Sequence, residues 1–281
     1  MGYNGIGGGT PMEPQSNFAR VNGLRLHYLE WGDPTRPPLV LLHGYTGNAW
    51  AWQPVAPGLA GHFRVIAPDL PGHGDSDPLP DGYTIQKYVA VLGRFVDGLG
   101  LGRFSLVGLS MGGRIGLVYA AENPDRVERL VIVDIGPEIS RRWSQRQAEP
   151  EPESFGSVEE VAGRLRRGNP YITAEYARFI AARSLKGRPD GRYVWKWDPA
   201  LRQGVRAEPD IDYWEVLRRV NCPTLVLRGE ESPILDPDVA ERMVRVLPNG
   251  RLRVIPRAAH TLQEDNPAEF LAALKEFFGL S

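Results

Sequence analysis

The sequence predicts an α/β fold, a mostly parallel sheet with helices on both faces. Three observations carry that expectation. From Phe18 to about Asp134, short apolar runs of strand character alternate with segments of helical periodicity. Runs such as Leu39-Val40-Leu41-Leu42 are continuously apolar, as strands covered on both faces are. Between the run Phe104-Ser105-Leu106-Val107 and the helix-forming run from Arg114 to Ala121 lies Gly108-Leu109-Ser110-Met111-Gly112, so a serine stands at the apex of a strand-to-helix turn.

In order along the chain, Phe18 to Val21 and Leu24 to Trp31 form a hairpin through the turn pair Asn22-Gly23. Strands at Leu39 to Leu42 and Phe63 to Ala67 come next. Apolar residues at 85, 88, 89, 92, 95, 96 and 99 make one helix face, capped by Thr84. The Ser110 strand and helix follow, then a strand from Arg129 to Asp134. The alternation stops after Gly136-Pro137. Residues 138–215 read as a helical insertion, with a capping box at Ser157 and Glu160, a cap at Thr173, the acidic proline-rich stretch 147–152 and a cluster of Trp and Tyr. Strands resume at Pro223 to Leu227 and Leu252 to Ile255. A last helix opens at Asn266-Pro267, with Glu269 completing its cap, and runs to Phe278. The expected division is a Gly-rich tail over 1–17 that reads as an expression scar or a loose tail, a core of 18–137 and 216–281, and an insertion over 138–215.

Composition narrows the function classes. The 281 residues carry a formal net charge of −1, which provides no basic field for nucleic acid. No apolar run is long enough to span a bilayer, and the start lacks the pattern of a secretory signal, so a cytoplasmic location is expected. One cysteine, Cys222, excludes an internal disulfide and reads as a small buried hydrophobe. No cofactor or metal is expected, and the oligomeric state is not legible.

A serine hydroxyl is a poor nucleophile at neutral pH and needs a base, a group to orient that base, and donors for the oxyanion. His260, in Arg257-Ala258-Ala259-His260 after a late strand, is the candidate base, because such a loop lies at the carboxyl end of the sheet with Ser110. Trp143, Trp195 and Trp214 are candidates for a substrate pocket, against the plainer role of packing the insertion onto the core.

With these residues in place, the chain resembles the α/β-hydrolase superfamily in its serine carboxylesterase and lipase-like branch, over nearly all of 18–279. Four motifs match in order: His43-Gly44-Tyr45-Thr46-Gly47, Asp69-Leu70-Pro71-Gly72-His73-Gly74-Asp75-Ser76, the Ser110 elbow and the His260 loop. The resemblance implies an eight-stranded sheet with the insertion as a lid. It implies oxyanion donors at the Tyr45 and Met111 backbone N–H groups, with His43 and His73 in supporting roles; His27 and His62 have no motif around them. It also implies acyl transfer to water, since relatives that attack as a carboxylate carry Asp at the elbow.

The orienting acid departs from the family pattern. Where an Asp usually stands, after Gly229, the chain has Ser232 and Pro233. Asp134 at the end of its strand is preferred; Glu231, Glu230 or Asp236 are the alternatives. The expected function is hydrolysis of a small-molecule carboxylic ester. Lactonase, carbon–carbon bond hydrolase and perhydrolase activities are the nearest alternatives. A ligand-binding protein on the same fold with little turnover is the alternative of a different class.

Overall fold

The structure, a computed structural model, describes residues 12–144, 152–205 and 211–280. The Gly-rich start through residue 11 and most of the acidic proline-rich stretch lie outside the described residues. The first half of the core comprises β1 (Gln15–Val21), β2 (Leu24–Trp31), β3 (Pro38–Leu42), β4 (Arg64–Pro68), α1 (Ile85–Gly98), β5 (Phe104–Leu109), α2 (Met111–Glu122) and β6 (Val127–Val133). The insertion contributes α3 (Arg141–Ser144), α4 (Val158–Gly168), α5 (Ala174–Ser184), β7 (Leu185–Gly187), β8 (Tyr193–Trp195) and α6 (Tyr213–Arg218). The core then returns as β9 (Thr224–Gly229), α7 (Pro237–Val246), β10 (Gly250–Ile255), α8 (Leu262–Asp265) and α9 (Pro267–Phe278).

Eight strands form one sheet in the order β1-β2-β4-β3-β5-β6-β9-β10. The pairs β1–β2 and β2–β4 are antiparallel, and the pairs from β4 to β10 are parallel. The continuously apolar strands follow from two covered faces. Val40 and Leu42 pack with Tyr88, Leu92 and Ile115 under α1 and α2, whereas Leu39 and Leu41 pack with Trp52, Phe270 and Phe277 under α9. Alternate side chains of one strand therefore serve opposite cores.

The expected caps form. Thr84, Ser157 and Thr173 each accept a backbone N–H from the first turn of α1, α4 and α5, and Asn266 accepts from Glu269 N at α9. Glu160 reaches back to Gly156 N rather than to the cap residue itself. β1 begins at Gln15 and so takes in the last residues of the expected tail, while α6 runs across the expected boundary at 215. The sequence reading contains no counterpart of α7, of the short α8, or of the β7–β8 hairpin inside the insertion.

The insertion has a small core of its own, including Phe155, Val161, Tyr176, Phe179 and Leu185. It rests on loops at the carboxyl ends of the strands. Asn48 Nδ2 donates to Ser184 Oγ at 2.8 Å, Asp198 N donates to Gly72 O at 2.7 Å, and Asn169 Nδ2 donates to Thr261 Oγ1 at 3.1 Å. Trp50, on the short helical turn Ala49–Trp52, meets Phe179 edge to face with ring centroids 5.7 Å apart, so it packs the insertion onto the core.

Candidate active site

Ser110 sits where β5 becomes α2, with φ 52° and ψ −116°. This left-handed conformation costs a non-glycine residue on the order of 1–3 kcal/mol and persists because the surroundings enforce it. The turn is possible because Gly108 and Gly112 flank it. A Cβ at Gly108 would run into the Gly112 carbonyl, and one at Gly112 into the Leu42 carbonyl. Ser110 N donates to Val133 O at 2.9 Å, so the elbow is tied to the end of β6.

One residue beyond Val133 stands Asp134, itself at φ 49° and fully buried. Its N–H continues the ladder to Leu227 O at 2.8 Å. Its Oδ2 lies 2.8 Å from His260 Nδ1, and Oδ1 accepts Gly229 N–H at 3.1 Å. An ionised carboxylate only accepts, so Nδ1 carries the proton and Nε2 remains as the basic nitrogen. The His260 side chain keeps 25% exposure against 0% for Asp134, which leaves a face of the ring open. Ser110 Oγ makes no hydrogen bond within the described residues, as is common in unliganded sites where such links tighten only around substrate.

Among the described contacts, none of the alternative acids bonds His260. Glu230 Oε2 accepts Arg257 N at 3.1 Å, Glu231 is exposed, and Asp236 stands at the N-cap position of α7 without a side-chain cap bond. The loop after β9 supplies Ser232 instead, whose hydroxyl donates to Asp134 Oδ2 at 2.7 Å.

The loop carrying Tyr45 crosses directly above the elbow: a Cβ on Gly44 would stand 3.3 Å from Ser110 Cβ. Met111 opens α2, so its N–H is one of the helix's unpaired first-turn donors. Two buried histidines hold this region. His43 Nδ1 donates to Gly44 O at 2.8 Å and Nε2 accepts Leu70 N at 2.9 Å; His73 Nδ1 donates to Pro71 O at 3.1 Å and Nε2 accepts Thr46 N at 3.3 Å. Burial lowers both, and His73 falls to about 3, so both are neutral braces. Tyr45 sends its hydroxyl to Leu201 O in the insertion.

His27, without a motif in the sequence, pairs with Asp69 of the second motif at 2.7 Å. Burial opposes ionisation of Asp69, but the His27 hydrogen bond and charge outweigh it and hold the carboxyl below its usual range. Asp75 completes a ligand-type cluster with them, but Asp69 already receives Ala49 N, Asp75 N and His27, and Asp75 binds Lys196. These bonds account for the cluster without a metal.

The aromatic candidates part company. Trp143 lies at the site, its ring centroid 6.4 Å from that of His260. Trp195 instead packs edge to face on Phe155 in the insertion's core, and Trp214 donates to Glu138 at 3.0 Å beneath the Arg242 guanidinium.

The model for the alpha/beta hydrolase fold matches residues 37–267. The chain belongs to the α/β-hydrolase fold family. It is 29% identical over 273 residues to a 3-hydroxybutyrate-oligomer hydrolase of Cupriavidus necator, covering 91% of this chain and 93% of that protein. An esterase of Mycobacterium tuberculosis is 27% identical over 272 residues, covering 93% and 89%. The solved structure of an E-2-(acetamidomethylene)succinate hydrolase superposes with a TM-score of 0.85 at 27% identity, covering 95% of this chain and 99% of that one. These relatives are hydrolases, and no helix among the described residues is long and apolar enough to cross a membrane.

Proposed function

We propose that this hydrolase cleaves small carboxylic esters through an acyl-enzyme on Ser110. The observation that carries the reading is the Asp134–His260 hydrogen bond at 2.8 Å, with Asp134 next to the residue that receives the Ser110 amide. In the first half-reaction, His260 Nε2 takes the hydroxyl proton as Ser110 Oγ adds to the ester carbonyl. The Tyr45 and Met111 N–H groups hold the resulting oxyanion, worth about 3–4 kcal/mol each where such donors have been removed from other enzymes. The imidazolium returns the proton to the leaving alkoxide, and the alcohol departs. Water then repeats the sequence, losing a proton to Nε2 and releasing the acid and a restored Ser110.

In this reading residues 138–215 form a lid, and Trp143 forms a wall of the substrate pocket beside the base. The esterase among the relatives supports the substrate class. The test is covalent labelling by a fluorophosphonate together with turnover of p-nitrophenyl esters. An activated serine is labelled in the wild type and not in Ser110→Ala. Absence of labelling in a folded wild-type protein would favour a binding role with little turnover.

A further inference from the structure

The buried Asp134 carboxylate is met by three donors: Gly229 N–H on Oδ1, and His260 Nδ1–H and the Ser232 hydroxyl on Oδ2. The direction of the Ser232 bond is fixed by counting. A hydroxyl has one proton and two lone pairs. Ile234 N at 3.1 Å and Leu235 N at 3.0 Å both donate to Ser232 Oγ, so its proton goes to the carboxylate. The loop that carries it is braced as well. Arg228, itself 8% exposed, donates from Nε to Leu235 O at 2.8 Å and from Nη1 to Glu230 O at 3.3 Å, and Ser232 N donates to Gly229 O at 3.0 Å.

We infer that Ser232 is a positioning residue for the base, acting through Asp134. The inference rests on the reading of Ser110, His260 and Asp134 given above. The carboxylate torsion of an aspartate is broad, so its plane is set by what its oxygens bind. Gly229 fixes Oδ1. Without Ser232, Oδ2 would be held only by the imidazole that it is meant to orient. Ser232 breaks that circularity with a donor anchored on a different strand end from the acid.

The test is a kinetic cycle. Ser232→Ala lowers kcat by about 10–100-fold, the scale of a misplacement near 1 Å. KM stays nearly unchanged, because Ser232 acts on the acid rather than on substrate. The same substitution in an Asp134→Asn background costs under about threefold, because residues acting as one unit are non-additive. Bracing of the loop alone would cost the same in both backgrounds. Ser232→Thr against Ser232→Val compares equal volume with and without the hydroxyl, and settles the matter where Ser232→Ala does not fold: the first retains most of the turnover and the second loses it. Wild-type kcat in Ser232→Ala, equal losses in both backgrounds, or matching Thr and Val variants would each overturn the inference. Activity persisting in Ser110→Ala would instead overturn the parent reading.

Discussion

Ser16, His27 and Asp69 form one Ser–His–Asp arrangement in this molecule, and Ser110, His260 and Asp134 form another. The first is closed at both links: Ser16 Oγ lies 2.9 Å from His27 Nε2, and His27 Nδ1 lies 2.7 Å from Asp69 Oδ2. In the second, among the described contacts, only the link from histidine to carboxylate is a hydrogen bond, at 2.8 Å. By hydrogen bonds alone the first is the better triad. What it lacks is everything else. Ser16 lies on the ordinary β1 strand, paired with β2, whereas Ser110 is held at positive φ beneath a loop that passes over its Cβ. His27 is 3% exposed, walled in and already bonded, whereas His260 keeps an open face. A hydrogen-bonded chain of three residues is therefore common scaffolding. In the proposed reading, the strained turn, the loop over the elbow and the uncommitted ring nitrogen are what make such a chain chemical.

The largest expected effect breaks the comparison at its serines. Ser110→Ala should lower kcat on p-nitrophenyl esters by up to about 10⁶-fold, the loss seen when a nucleophilic serine is removed from a comparable assembly. Ser16→Ala should leave kcat near the wild type. Equal behaviour of the two variants would erase the distinction.

The acids come next. Asp134→Asn should favour the wrong imidazole tautomer and cost about 10⁴-fold in kcat while the fold is kept. Asp69→Asn should act mainly on stability, by roughly 1.5–3 kcal/mol, because it weakens charged hydrogen bonds at a buried site. Urea unfolding and kcat measured on both variants separate the two outcomes.

A smaller effect concerns Trp143, the one aromatic candidate beside His260. Trp143→Ala should change the relative kcat/KM for short and long acyl chains by about 10-fold, the scale of one apolar pocket contact. Trp195→Ala should leave that ratio unchanged and lower thermal stability instead.

A different kind of effect is in the pH dependence of stability. Glu264 follows the base loop, accepts the Tyr176 hydroxyl at 3.0 Å and is raised to about 8 by burial and then by the neighbouring Asp265. Between its ordinary value and about 8, the folded chain holds a proton that the unfolded chain has lost. Stability from this group is full below that window and falls as pH rises through it. Melting curves should show this fall, and Glu264→Gln should remove it. An unchanged slope in the variant would show that Glu264 does not titrate in the window.

Much of this was legible in the residues. The elbow announced itself because its geometry excludes Cβ atoms at 108 and 112, and only glycine satisfies that. For the acid the sequence offers only a preference: Asp134 closes an apolar strand, but Glu230, Glu231 and Asp236 stay open beside it, because the register that ties Asp134 N to Leu227 O is a property of the sheet. The part that failed to show is tertiary or short. α7 presents only Val239, Ala240 and Met243 as buried positions, behind the loop 230–236 that carries Pro233. Each strand of the β7–β8 hairpin has three residues, too few for period-2 alternation to register. Aromatic content in the insertion revealed that something is packed, not in which direction, so Trp195 and Trp214 were grouped with Trp143. The bond from Ser232 to Asp134 joins residues 98 apart, and that of His27 to Asp69 joins residues 42 apart, without a local pattern for either.

The tie of Ser110 N to Val133 O and of Asp134 N to Leu227 O makes these two residues, the proposed nucleophile and acid, consecutive rungs of the central sheet. Their separation is thus set by the spacing between strands, about 4.8 Å, rather than by any loop. His260 alone comes from outside the ladder, on a loop whose neighbours reach into the insertion. In amide hydrogen exchange, the Ser110 and Asp134 N–H groups should open only with global unfolding, while those around His260 exchange through smaller local openings. Warming would then silence the enzyme first by releasing its base, with the nucleophile and the acid still in register.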